Sequence, residues 1–367
     1  MTQRRQYFLF FGLVLAVIAA AFAFGRSRGP ATLLDSVPRD AWLVATVDVA
    51  ALRGSPLAKP LLGEGDKTPI PGLGPLVAQC GFDPLARLRD VVVMSPENGE
   101  RGEFGVAFSG DFTKDELAKC AENVIRARGG SPAASTRGGF TLVADTADAS
   151  HARLAYREGG PFLVGSGAWL DAMIDATEKK TERLRPEHLE LRAALASKSG
   201  TPPAIVVTAL LPASVRDKLK ADLGPELGGA GDKAYAGVLA VSAAGVALRT
   251  GGPPGSDPAA STTELFAELR CETNSACEEV KNLIDRKRLA FARDLMVRVI
   301  GLGPLLDSLT VDGHGPSLTL AAHASTGELA RGIQRVIDFK SHPTSLLPGL
   351  SGAPPAAPVP SGSGPGR

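Results

Sequence analysis

A chain of 367 residues with 40 Lys+Arg against 39 Asp+Glu carries a formal net charge of +1. That balance, without a basic stripe, excludes nucleic acid as the main partner, and an aromatic content of 5% leaves few platforms for stacking bases or sugars. With 44% hydrophobic residues the chain can fill ordinary cores, and its length suits two domains or one large duplicated one.

Residues 7–25 (YFLFFGLVLAVIAAAFAFG) carry no charge. As a helix they would span ~28 Å, close to the thickness of a bilayer core, and they show no polar stripe of period 3.6. Arg4 and Arg5 precede the run, and Ala21-Phe22-Ala23 is a cleavage-like site. The run is longer than a signal h-region, which favours a retained anchor over a cleaved signal. Residues 1–30 are therefore expected to engage a membrane once. The folded region is expected in the periplasm, beside a cell inner membrane.

Next, Trp42–Val49 reads as a strand, followed from Leu52 by helical apolar spacing. A short helix ends near Cys80, Asp83-Pro84 marks a turn, and Asp90–Ser95 reads as a buried strand paired with 103–109. Thr113–Arg128 is a helix: Thr113 with Glu116 makes a capping box, and Leu117, Cys120, Val124 and Ile125 form one apolar face. Segments 140–144, 153–157 and 161–164 read as a strand meander, followed by helices at 168–178 and 186–198. A strand feeding a helix then recurs at 204–223. A hairpin turning at Ala244-Gly245 follows, then a helical stretch from Thr262 to about Ile300 interrupted at 272–275. Strands at 308–312 and 317–323 and a helix at 326–339 complete the fold.

The pattern strand-helix-GDK occurs twice, at 41–67 and 204–233, and suggests an internal duplication. The expected class is α+β, with largely antiparallel sheets and helices packed on one face. The expected units are a first α+β domain at 31–200 and a second at 201–342. The stretch 343–367, mostly Pro, Gly, Ser and Ala, lacks the apolar mass to offset the entropy of ordering and reads as a disordered tail.

Chemistry-bearing motifs are scarce. GEGDKT (63–68) imitates a phosphate loop, but Asp66 separates Gly65 from Lys67 and no strand leads into it, so a surface turn is the better reading. Its echo GAGDKA (229–234) lacks a hydroxyl residue after the lysine. Ser166 sits between a strand and a helix without the G-x-S-x-G pattern, and reads as an N-cap. Histidines 151, 188, 314, 323 and 342 show no ligand spacing, and neither HExxH nor Cys-x-x-Cys occurs. No catalytic residue, metal or cofactor is expected.

Four cysteines are an even count in a chain expected to cross a membrane, so disulfides become the expectation. Cys80 ends a short helix and Cys120 lies on the apolar face of another, which makes them one pair. Cys271 and Cys277 flank the sequence ETNSA. Six residues of unbroken helix rise ~9 Å, too far for a disulfide. Asn274 and Ser275 are weak helix formers that supply a bend bringing the two together. Buried free thiols are the alternative for each pair.

The stretches VPRDAWLVATVDVAALRGSPLAKPLL and CGFDP, and the CETNSAC helix leading to RDLMVRVIGLGPLLDSLTV, resemble uncharacterised membrane-anchored envelope proteins of GC-rich, myxobacterial-type bacteria. The likeness spans most of residues 35–340. It implies a periplasmic location and this architecture, and it assigns no activity or functional residue. Three functions follow as expectations. The first is a non-enzymatic envelope protein that binds another protein or a cell-wall component. The second is a sensor or small-molecule binder with its site between the halves. The third is a hydrolase with a scattered site.

Overall fold

The computed structural model describes residues 31–58, 73–97, 103–148, 150–197, 202–223, 233–251, 261–292, 298 and 302–341. The apolar segment 7–25, the turn at 63–68, residues 229–232 of its echo, His342 and the tail lie outside them. No helix among the described residues is long and apolar enough to cross a membrane.

Strand β1 (Ala41–Asp48) pairs with β2 (Leu88–Pro96), and β2 with β3 (Gly105–Gly110). A meander of β4 (Pro132–Arg137), β5 (Phe140–Asp145), β6 (Arg153–Tyr156) and β7 (Phe162–Gly165) brings β7 back beside β3. The second half pairs β8 (Ile205–Leu210) with β9 (Val241–Gly251) and β9 with β10 (Thr262–Cys271). A hairpin of β11 (Thr310–His314) and β12 (Ser317–Ser325) then returns β12 to β10. Antiparallel pairing of β1 with β8 joins everything into one 12-stranded sheet, ordered β11-β12-β10-β9-β8-β1-β2-β3-β7-β6-β5-β4. The chain is thus α+β, built on a large antiparallel sheet.

From the β1–β8 seam outward, the register repeats. On one side Ala45 faces Val93, Val93 faces Val106, Val106 faces Val164 and Val164 faces Leu154. On the other, Val207 faces Val246, Val246 faces Ala267, Ala267 faces Leu320 and Leu320 faces Val311. Ala45 and Val207 face each other at the centre.

Helices cover both faces, which corrects the expectation of one. They are α1 (Ala31–Leu34), α2 (Val49–Arg53), α3 (Leu73–Cys80), α4 (Lys114–Ala127), α5 (Gly167–Thr177) and α6 (Pro186–Ser197). In the second half they are α7 (Ala213–Leu223), α8 (Lys233–Leu239), α9 (Asn274–Ala292), α10 (Gly303–Asp307) and α11 (Thr326–Ser341). Alternate residues of β1 and β2 belong to different cores. Val44, Val92 and Met94 pack with Trp169, Leu170, Met173 and Ile174 of α5. Ala45, Val47, Val91 and Val93 pack with Leu52 of α2, with Leu57 and with Leu329 and Ala330 of α11. The near-continuous apolar run of these strands was the sign of two buried faces. Burial of each large aliphatic side chain in these clusters contributes ~1.5–3 kcal/mol.

Two other expectations fail in the second half. Residues 241–251 form one unbroken strand, with no turn at Ala244-Gly245. Gly245 is small because α6 lies over it: a Cβ there would sit 2.9 Å from Leu195 Cδ1. Residues 262–271 are a strand, not a helix, hydrogen-bonded to β9 on one side and β12 on the other. The spacing of Leu265, Phe266 and Leu269 admits a helix, but two flanking ladders outweigh local propensity. Strand β4 was not foreseen, being polar and exposed along nearly its whole length.

Candidate functional site

The cysteines close as two pairs, and no described cysteine is free. Cys80, at the end of α3, lies within disulfide distance of Cys120 on the buried face of α4, with Cα atoms 4.2 Å apart. Cys271 ends β10 and Cys277 lies in the first turn of α9, with Cα atoms 5.6 Å apart. The geometry of CETNSAC differs from a bent helix. It is a strand-to-helix corner, where Thr273 Oγ1 accepts from Ala276 N (3.2 Å) as an N-cap would.

Beyond the cysteines, polar groups gather where the halves meet. Helix α6 lies over the seam, with Leu191 packed on Leu210 and Ala243, and Leu195 on Val206, Ala247 and Phe266. The same buried stripe carries His188 and Arg192, one helical turn apart. His188 is 0% exposed. Its Nε2 lies 3.1 Å from Ala41 O and its Nδ1 2.8 Å from Thr208 Oγ1. A carbonyl only accepts, so Nε2 carries the proton and Nδ1 accepts from the threonine hydroxyl. Burial, above all, pushes the imidazole down to about 4, and the cations Arg192 and Arg185 add to that. The ring is neutral at physiological pH and both nitrogens are engaged, so it ties β1 to β8 and is not free to move a substrate proton.

Arg192 donates from Nη2 to Thr46 Oγ1 (2.5 Å), and Thr46 donates to Val206 O (3.4 Å). Its Nη1 is buried and has no acceptor among the described residues. Burial lowers the guanidinium to about 10, which leaves it charged at neutral pH. Arg249 on β9, 2% exposed, donates to Leu195 O (3.3 Å) at the C-terminal end of α6 and lies 4.9 Å above the Phe266 ring. There a cation meets the negative end of the helix dipole. On β2, buried Asp90 accepts from Ser109 Oγ (3.0 Å). Burial raises its pKa, and the cross-strand neighbour Asp48 raises it further.

Comparison with protein-family models and with curated proteins finds no match. Among solved structures, crystal form I of TP0453 is similar over 85% of this chain and 99% of that chain, at 13% identity and a TM-score of 0.41.

Other residues singled out from sequence lie apart from the seam. Ser166 occupies the N-cap position of α5, but its side chain makes no capping bond. His151 sits between Asp145 (3.2 Å) and Asp148 (3.4 Å) and staples its own loop. His314 and His323 are exposed on the β11–β12 hairpin. No group of three or more His, Cys, Asp or Glu among the described residues could hold a metal ion. Sequence reasoning missed His188, Arg192 and Arg249. The signal available for the first two was their i, i+4 spacing, three residues behind the Leu191/Leu195 pair on the same helix.

Proposed function

We propose that the chain is an envelope protein, held in a membrane by residues 7–25 with its folded region in an oxidising compartment. There it serves as a non-catalytic scaffold for another protein or a cell-wall component. One observation carries the compartment: all four cysteines stand in pairs at disulfide distance, and structural disulfides persist outside the reducing cytosol. The binding role is supported by an apolar strip at the middle of the sheet. Val246, on a central strand, is 37% exposed, and its neighbours Val207, Ala244 and Leu265 on the same face are only half-buried. Duplication of one unit is supported by the repeated register and by Thr46 and Thr208, which lie symmetrically about the Ala45–Val207 pair.

Mild crosslinking in native membranes, followed by purification, tests the binding role. The wild type is expected to bring down a dominant partner that Val246→Asp loses. The same recovery from both proteins sinks the assignment of this strip. Non-reducing mass spectrometry of the envelope fraction tests the compartment, and four free thiols there would overturn it.

A second reading, a small anionic ligand held between the halves, is favoured by Arg192 and its unpartnered Nη1. Under that reading phosphate raises the melting temperature of the wild type and leaves Arg192→Met unmoved.

A further inference from the structure

Aromatic residues are scarce in this chain, at 5%, yet four phenylalanines meet at one place. Phe108 on β3 stacks on its cross-strand neighbour Phe162 on β7, with ring centroids 5.4 Å apart. Phe112, just past β3, meets both edge-on at 5.9 and 6.1 Å, and Phe82 lies 6.0 Å from it. Gly110 makes room for Phe112, because a Cβ there would sit 2.3 Å from the ring. All four phenylalanines are half-buried, so each keeps part of its surface in solvent. The charges around them are already matched. Arg87, 4.6 Å above the Phe82 ring, pairs with Glu116 (2.8 Å), and Arg89 pairs with Asp111. The result is an aromatic shelf that suits an uncharged ligand.

We propose that this shelf is the docking site of the chain's own proline-rich C-terminus, residues 353–360, bound within one molecule. The shelf lies on the face that α11 covers, since Phe108 and Val106 of β3 and Ile333 of α11 belong to one apolar cluster. Helix α11 starts beside β10, where Thr263 donates to Thr326 (3.0 Å), and packs with residues of β1 and β2 through Leu329 and Ala330. It therefore runs across the sheet towards the β3 side, and it ends at Ser341. Residues 342–352 reach about 35 Å when extended. The three strand spacings from β1 to β7 amount to only about 14 Å. The segment 353–360 reads APPAAPVP. At three residues per turn of polyproline II, Pro355 and Pro358 form one ridge, and Pro354 and Pro360 another. Such a ridge packs on aromatic rings at low ordering cost, because its extended form is pre-set. Residues 343–366 carry no charge, which matches a surface whose ions are already paired.

Photocrosslinking of the full chain in detergent micelles tests the proposal. The photoreactive residue p-benzoylphenylalanine in place of Phe112, or of Phe82 as a second position, is expected to crosslink to the tryptic peptide 341–367 of the same chain. The same probe in place of Leu189, exposed on α6 across the sheet, is expected to give at least about fivefold less of that product. Pro355→Gly combined with Pro358→Gly removes the pre-set extended form and lowers the yield from position 112 likewise. Circular dichroism reports that each protein remains folded. No tail product from either position, an equal yield from position 189, a yield indifferent to the two glycines, or a product joining two chains overturns the proposal.

Discussion

The burial of His188 makes a quantitative demand on stability as a function of pH. In the unfolded chain its ring titrates near 6.5, and in the folded chain near 4. Between those values the unfolded state binds a proton that the folded state refuses, so stability rises with pH across the window and is lost as the pH falls. Each pH unit inside it is worth ~1.4 kcal/mol. Integrating from pH 7 to pH 5, His188 alone should remove about 2 kcal/mol. Its full burial leaves little solvent to soften that figure. The variant His188→Gln keeps an amide donor for Ala41 O and cannot titrate. Urea unfolding at half-unit steps between pH 7 and pH 5, with the disulfides intact, gives the two stability profiles. The variant should be the less stable at pH 7 and should show the shallower slope, the difference amounting to about 2 kcal/mol over the range. Glu116 does not intrude, since its bonds to Thr113 and Arg87 hold it down at about 2. Parallel profiles for the two proteins would refute the account of the seam.

Three further outcomes follow from named contacts. Gly245→Val drives a side chain into Leu195 and should cost about 1–3 kcal/mol, read as a lower urea midpoint at unchanged m. Opening the cysteine pairs should cost unequally. On loop entropy the Cys80–Cys120 closure, separated by 40 residues, is worth about 4 kcal/mol and Cys271–Cys277, separated by 6, about 2 kcal/mol. Paired alanine variants compared by calorimetry check the order. Asp90→Asn should raise the melting temperature at pH 8, because burial disfavours the carboxylate and an amide oxygen can still accept from Ser109. The gain should shrink as the pH falls towards the raised pKa, where Asp90 itself becomes neutral.

Elements whose cause is local were legible in the sequence. Helix α4 announces itself because both bonds of its capping box join residues three apart, Glu116 N to Thr113 Oγ1 (3.2 Å) and Thr113 N to Glu116 Oε2 (2.9 Å). The pairing of Cys80 with Cys120 could be read from one cysteine ending a helix and the other lying on an apolar face. Strand β10 was not legible, because what makes it a strand is its register with β9 and β12. Nothing in TTELFAELRC records that pairing. The same limit hid the seam. His188 finds its partners 20 residues ahead at Thr208 and 147 residues back at Ala41, and only the folded sheet brings those two strands together. The residues between the cysteines were read as a break within one long helix, whereas they form the corner between strand β10 and helix α9. The preceding segment belongs to the sheet.

The seam also explains why two similar halves need not behave as two bodies. Strand pairing alone gives β1 and β8 a ladder of five residue pairs, and side-by-side sheets joined only by a short ladder can shear. What stiffens this joint is α6, whose partners lie on both sides of it. The helix reaches Ala41 and Thr46 on β1 through His188 and Arg192. It reaches β8, β9 and β10 through Leu191, Leu195 and the cap supplied by Arg249. After β12 the chain enters α11, which crosses the seam to pack with residues of β1 and β2 on the opposite face, whereas α5, which directly follows β7, packs within the first half. The repeat therefore holds for the strands and breaks at the helices. With α6 crossing the seam on one face and α11 on the other, neither half completes its core without the other. That interdependence predicts a single cooperative unfolding transition for the described region, and two resolved calorimetric transitions would argue for separable domains.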